Sequence, residues 1–214
     1  MTHNKKLADI RGKYSEYELN KLNIDRDPYK QFSVWMDEVL KINIIEPNAM
    51  VLSTSDENNF PSSRVVLLKE VKDGAFVFYT NYESKKGHDL TINPKASLLF
   101  FWRELGRQIR LSGTVIRISK EESENYFSSR PYESRISAWA SRQSGIIPDR
   151  KFLEDKFEEV KKEYNKEVPL PPFWGGYKLS PNRFEFWQGR ENRLHDRIVY
   201  IKNKDKWDIV RLSP

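Results

Sequence analysis

The chain has no cysteine, which excludes a disulfide framework, a thiolate metal site and a cysteine nucleophile. Its three histidines, His3, His88 and His195, lie far apart in sequence, so no metal centre is expected. No apolar run approaches the roughly 20 residues a membrane-spanning helix needs, and the mean hydropathy of -0.75 agrees. The first residues, Met1 to Leu7, lack the apolar core of a signal peptide, so a cytoplasmic location is expected. Also missing are the G-x-G-x-x-G turn, the phosphate-binding P-loop and the G-x-S-x-G elbow. If the chain is an enzyme, an organic cofactor is expected to carry the difficult step.

What is present is aromatic and basic. Aromatics make up 13%, with 6 Trp, 10 Tyr and 12 Phe, so a core can be built from few, large side chains. Lys and Arg number 37 against 31 Asp and Glu, a net charge of +6. The basic residues are interleaved with acids rather than gathered in a stripe. That favours small anionic ligands over nucleic acid, for which a basic stripe with exposed aromatics is expected. The 214 residues suit one domain with helical additions.

Residues 1–27 are polar and poorly patterned and read as a mobile N-terminal arm. Residues 28–214 read as a single domain. Asp27 followed by Pro28 predicts a helix start, and Phe32, Trp35, Met36, Val39 and Leu40 recur at helical spacing. Segments 50–55 and 63–71 form a predicted hairpin around the turn cluster 56–59, and 75–80 continues it as a meander. Ser84 caps a predicted helix over 85–92, ended by Asn93 and Pro94. Strands follow over 96–102 and 107–118, with Gly113 marking a bend. Inserted helices occupy 119–165: one opened by the Ser119/Glu122 capping box, one over about 133–142, one over about 149–165. After the rigid linker 168–172 come strands 176–180, 183–187, 197–201 and 207–212. About eight strands, mostly joined as hairpins, predict a mainly β fold, an antiparallel barrel with peripheral α-helices.

Several groups could hold an anion. Arg64 and Lys69 bracket an apolar run, and at five residues apart they face opposite sides of a regular strand. They then serve two ligands, two parts of one, or only solvent. Lys85 and Lys86 sit in the first turn of a helix, where positive charge is unfavourable unless an anion is present. Tyr126 and Arg130 share a helix face, and Ser134 follows in the next first turn, which suits either a phosphate cup or an ordinary kinked helix pair. Gln108, Gln143 and Ser144 offer groups for a heterocycle edge or for backbone capping.

The densest stretch is Trp187-Gln-Gly-Arg-Glu-Asn-Arg-Leu-His-Asp-Arg197. If extended, it points Arg193, His195 and Arg197 to one face. Two guanidiniums flanking an imidazole suit an electron-rich ligand, or else a solvated, charged edge strand.

The chain resembles the pyridoxine/pyridoxamine 5′-phosphate oxidase family. The resemblance runs from about Arg11 to Pro214 and rests on ordered blocks. They are Ser63-Arg-Val-Val-Leu-Leu-Lys69, Phe78-Tyr-Thr-Asn81, Ser84-Lys-Lys86, Tyr126-Phe-Ser-Ser-Arg-Pro131 and Ala138-Trp-Ala-Ser-Arg-Gln-Ser144, then Val168-Pro-Leu-Pro-Pro-Phe-Trp-Gly-Gly176, Phe186-Trp-Gln-Gly189 and Arg193-Leu-His-Asp-Arg197. The resemblance implies an antiparallel FMN-binding split β-barrel, a homodimer with FMN in clefts between subunits. It also implies an oxidase turning pyridoxamine and pyridoxine 5′-phosphate into pyridoxal 5′-phosphate while O2 becomes hydrogen peroxide. The implied FMN contacts are Arg64, Val65, Val66, Leu67, Leu68, Lys69, Tyr79, Thr80, Lys85, Lys86, Gln108, Gln143, Ser144, Trp187 and Arg197. Lys69, Tyr126, Arg130 and Ser134 would hold the substrate phosphate. Arg193 and His195 would face the reacting carbon, and Arg11 and Tyr14 would cover the substrate. Lys85 stands where arginine is expected in many relatives, which keeps the charge and loses the bidentate fork. The competing readings are a split-barrel FMN reductase, an oxidase of another substrate, and a non-catalytic pyridoxal phosphate-binding module.

Overall fold

A computed structural model describes residues 17–214. The chain divides into two compact units. One holds Asn48–Leu99 and Leu111–Asn182; the other holds 17–47, Phe100–Arg110 and Arg183–Pro214.

The elements in chain order are α1 (Pro28–Leu40), β1 (Ala49–Ser55), β2 (Pro61–Leu67), β3 (Glu70–Lys72), β4 (Ala75–Asn81), α2 (Lys85–Ile92), β5 (Lys95–Trp102) and β6 (Arg107–Arg117). Then come α3 (Lys120–Ser129), α4 (Tyr132–Ala140), α5 (Arg150–Glu163), β7 (Trp174–Gln188), β8 (Asp196–Asn203) and β9 (Lys206–Arg211).

The helix starts follow their sequence cues. Asp27 accepts the Tyr29 N–H at 2.9 Å ahead of α1, with Pro28 in the first turn. Ser84 caps α2, which spans the predicted residues. Ser119 and Glu122 form the expected reciprocal box on α3.

In the first unit the strand order is β2-β1-β5-β6-β7-β4-β3. The pairs β1/β2, β1/β5, β3/β4 and β4/β7 are antiparallel. The predicted meander is interrupted. Segment 63–71 is not one strand, because it breaks after Leu67 and its halves lie at opposite ends of that order. The cause is non-local. The Leu68 N–H donates to Asn48 O at 2.9 Å, and the next N–H, of Lys69, donates to Val77 O at 2.9 Å. Conversely, 176–180 and 183–187 are not two strands but one, β7, running through Pro181. Gly113 of β6 makes room for it, since a Cβ there would lie 2.1 Å from Ser180 O. Phe127, Ile136, Val168 and Trp174 form a buried cluster joining α3, α4 and the start of β7.

In the second unit β7, β8 and β9 pair antiparallel. Trp35 of α1 packs edge-on to Phe186 at 5.2 Å, and Phe32 to Phe100 at 5.3 Å. Residues just before α1 are tied down as well: Leu19 is buried and its N–H donates to Asp196 Oδ2 at 3.1 Å. Among the described residues no helix is long and apolar enough to cross a membrane, and no group of His, Cys, Asp and Glu is placed to hold a metal.

Candidate functional site

In the first unit a cavity of about 960 Å³ gathers most of the residues singled out in the sequence. Arg64, Val65, Val66, Leu67 and Lys69 line it from β2 and the break after it. Tyr79 and Thr80 line it from β4, and Lys85 and Lys86 from α2. Tyr126, Arg130, Ser134, Gln143 and Ser144 complete that set from α3, α4 and the loop beyond. Arg64 and Lys69 thus share one cavity, and the opposite-face expectation fails because the strand between them is interrupted. Leu68 is buried beside the cavity without lining it. Trp174 lines it too, and was not singled out in the sequence.

The cations are held in three ways. Arg64 Nη1 donates to Thr54 Oγ1 at 2.8 Å and Leu52 O at 3.1 Å, its Nη2 donates to Ser62 Oγ, and Asp89 lies 3.9 Å away. Lys85 pairs with buried Asp89 at 3.2 Å and with Asp56 at 3.7 Å, so its charge at the helix start is met within the chain. Lys86 differs. Its buried Nζ donates to Gln143 Oε1 at 2.9 Å, Ser84 Oγ at 3.0 Å and Thr80 Oγ1 at 3.1 Å, all neutral oxygens. Burial first, then the Arg64 charge, brings its pKa down to about 8. Ser144 accepts the Lys85 N–H at 3.2 Å from a left-handed backbone position, φ 71°.

The other end of the cavity is aromatic. Tyr79 and Tyr126 stack at 3.8 Å, and Trp174 lies nearly parallel to both. Burial above all pushes the Tyr79 hydroxyl up to about 12. Arg130 sits over the Trp174 ring at 4.7 Å, and its Nη1 is buried without a hydrogen-bond partner among the described residues. A buried ammonium with neutral partners and an orphaned guanidinium nitrogen both call for an anion. The donor set therefore fits a phosphorylated ligand, and its size leaves room for more than one ring system.

The remaining candidates belong to the second unit. Gln108 is half-buried on β6. The stretch before β8 is not extended, as the alternation argument required. Glu191–Arg193 is a single 3₁₀ turn, with left-handed Asn192 (φ 55°) and Arg193 (φ 60°), closed by the Leu194 N–H on Glu191 O at 3.1 Å. Only from Asp196 does a strand begin, so Arg193 is exposed and not in register with Arg197. Trp187 is buried with its ring 4.7 Å from the His195 ring. His195 Nδ1 accepts the Arg190 N–H at 3.0 Å, and burial, then the Arg193 charge, lowers its pKa. Arg197 Nε donates to buried Glu185 Oε1 at 2.9 Å, and its Nη2 lies 2.8 Å from the same oxygen as an ion pair. Arg11 and Tyr14 lie outside the described residues.

Residues 36–164 match the family model described as pyridoxamine 5′-phosphate oxidase, and residues 174–214 match the pyridoxine 5′-phosphate oxidase C-terminal dimerisation region. The chain is 48% identical over 209 residues to a pyridoxine/pyridoxamine 5′-phosphate oxidase of Cyanothece sp., covering 97% of this chain and 98% of that one. It is 49% identical over 210 residues to the Paraburkholderia phytofirmans protein of the same name, covering 97% and 99%. The structure of PhzG from Burkholderia lata 383, in complex with tetrahydrophenazine-1-carboxylic acid, superposes with a TM-score of 0.88 at 29% identity, covering 95% of this chain and 100% of that one. A pyridoxamine 5′-phosphate oxidase-related, FMN binding protein of Nostoc punctiforme shares the fold, with a TM-score of 0.70 at 14% identity over 89% of this chain and 100% of that one.

Proposed function

The chain belongs to the pyridoxamine 5′-phosphate oxidase family, and on that premise we propose that it oxidises pyridoxamine and pyridoxine 5′-phosphate to pyridoxal 5′-phosphate, with O2 reduced to hydrogen peroxide and ammonia released from the amine by hydrolysis. The fold is the FMN-binding split β-barrel with peripheral helices, as expected, and FMN is the cofactor. The observation that carries the substrate reading is that Lys69, Tyr126, Arg130 and Ser134 line the same cavity as Arg64, Lys85, Lys86 and Gln143.

In this proposal Arg64, Lys85, Lys86, Thr80, Gln143 and Ser144 hold FMN through its phosphate and polar edges, beside Val65 to Lys69 and Tyr79. Gln108, Trp187 and Arg197 complete the cofactor's surroundings in a homodimer with FMN at the subunit interface, a reading supported by the dimerisation region at 174–214. FMN, when bound, supplies the two-electron acceptor that O2 regenerates. Lys69, Tyr126, Arg130 and Ser134 grip the substrate phosphate and so fix the ring's position. Arg193 and His195 face the reacting carbon. Because His195 Nδ1 already holds the Arg190 N–H, the neutral ring keeps its proton on Nε2 and presents a donor there.

The test is an absorbance spectrum of the purified protein, then anaerobic addition of pyridoxamine 5′-phosphate. Flavin absorbance that bleaches supports the proposal. Bound FMN with an unchanged spectrum overturns the substrate assignment. The likeness to PhzG favours one second reading, oxidation of a polycyclic carboxylate. Bleaching by a tetrahydrophenazine carboxylate and not by the phosphorylated amine would select it.

A further inference from the structure

We propose that Trp174 is a positioning residue for Arg130 and thereby sets how tightly the chain grips its substrate's phosphate, an inference that rests on the function proposed above. The backbone of Arg130 is fixed locally. It caps the C-terminus of α3 at φ -73°, ψ 149°, its N–H donates to Phe127 O at 3.1 Å, and Pro131 prevents the helix from continuing. The side chain is fixed otherwise. Its Nη1 is buried with no hydrogen-bond partner among the described residues. Burial lowers its pKa, yet a guanidinium stays charged at any pH at which a protein works.

What holds this cation is aromatic. Its Cζ lies 4.7 Å from the Trp174 ring centroid and 5.6 Å from that of Phe127. Trp174 is itself locked. It is 8% exposed, begins β7 opposite Asn81, and its N–H donates to Pro171 O at 3.1 Å. Its ring lies within 4° of parallel to Tyr126 and 12° of Tyr79, with Phe127 edge-on at 5.1 Å. The strand beneath it packs closely, since a Cβ on Gly175 would lie 2.2 Å from the Tyr82 hydroxyl.

The choice of partner matters for chemistry. A carboxylate in the place of Trp174 would occupy the guanidinium fork and compete with phosphate for it. A ring face attracts the same cation without taking any of its five N–H donors. Trp174 therefore holds Arg130 in place without occupying the fork that an incoming phosphate needs. Tryptophan offers the strongest face for this, phenylalanine a weaker one, and leucine none.

The test uses the FMN-loaded, full-length protein. Flavin absorbance follows titration with pyridoxal 5′-phosphate and, separately, with pyridoxal, for Arg130→Ala, Trp174→Leu, Trp174→Phe and the Arg130→Ala/Trp174→Leu double variant. Trp174→Leu is expected to weaken pyridoxal 5′-phosphate about tenfold and to raise KM for the phosphorylated amine with kcat within about twofold. Pyridoxal binding stays unchanged, Trp174→Phe recovers most of the loss, and the double variant binds no more weakly than Arg130→Ala alone. Equal weakening of both ligands, or a double variant showing the full sum of the two losses, overturns the proposal. If Arg130→Ala weakens pyridoxal 5′-phosphate and Trp174→Leu does not, the phosphate cup stands and this inference falls. If Arg130→Ala itself has no effect, both fall. Should Trp174→Leu lose FMN, Trp174→Phe decides: about threefold selective weakening of the phosphorylated ligand supports the proposal, and none overturns it.

Discussion

His195 Nδ1 accepts the backbone N–H of Arg190 at 3.0 Å. That bond assigns the neutral ring's proton to Nε2. Protonating the ring would set two donors against each other, and burial and the Arg193 charge already disfavour it. His195 should therefore titrate below its ordinary value of 6.5. Removing the Arg193 charge should raise that pKa, though not fully, because burial is the larger cause. An NMR titration of wild type and Arg193→Gln checks this, and identical midpoints would show that the two side chains do not interact.

On the cofactor contacts proposed above, Lys86 should make FMN binding depend on pH. Its pKa of about 8 lies below the ordinary 10.5. Between those values the unfolded chain binds more protons than the folded one, so the ligand-free protein gains stability as pH rises through that window. Phosphate affinity runs the other way, since it needs the ammonium. FMN affinity should hold below about 8 and fall above it, while Lys86→Met should be weaker throughout and lose that alkaline fall. Tyr79, pushed up to about 12, stays silent in this range. Fluorescence titration of FMN against the apoprotein at several pH values measures it. An unchanged alkaline fall in Lys86→Met would assign the effect elsewhere.

Where a signal was local, the sequence could be read directly. Ser84 and the Asn93-Pro94 pair bounded α2 correctly, and the Ser119/Glu122 box placed α3. Non-local hydrogen bonds were invisible. Nothing in Leu68 or Lys69 announces that their N–H groups go to Asn48 and Val77, yet this split one predicted strand and turned Arg64 and Lys69 into one cavity. The alternation drawn from Arg193 to Arg197 failed because Asn192 and Arg193 adopt left-handed backbone, which only the asparagine hints at. Nothing in the sequence marks Trp174, because its cation, Arg130, comes from a distant helix end.

Glu185 is a buried carboxylate shared by three arginines: Arg183 and Arg197 at 2.8 Å and Arg110 at 3.5 Å. Burial alone would push its pKa up, but the hydrogen bonds from Arg183 and Arg197 and the nearby positive charge more than offset this and hold it below 4.5. Its contribution to stability is therefore present above the ordinary value and lost as pH falls through the lowered one. Glu185→Gln should cost about 2 kcal/mol near neutral pH, discounted because the arginines are partly solvated. The gap from wild type should narrow in acid. Urea denaturation at neutral and acidic pH tests both statements, and a gap independent of pH would mean that charge is not the cause.

Gly87 sets two opposing effects against each other. It lies inside α2, where alanine is favoured over glycine by about 1 kcal/mol on helix propensity alone. An added Cβ, however, would lie 2.0 Å from Tyr82 O and 2.5 Å from Tyr82 C, which are backbone atoms. Tyr82 cannot yield easily, since its N–H donates to Phe173 O at 2.7 Å and its hydroxyl to Gly176 O at 3.2 Å. The helix must then move outward, carrying Lys85 and Lys86 with it. Overpacking of this kind costs about 1–3 kcal/mol, so Gly87→Ala should lower the urea midpoint and weaken FMN binding together. A variant as stable as wild type, with FMN affinity intact, would show that propensity outweighs the clash and that α2 has room to relax without disturbing the cations it carries.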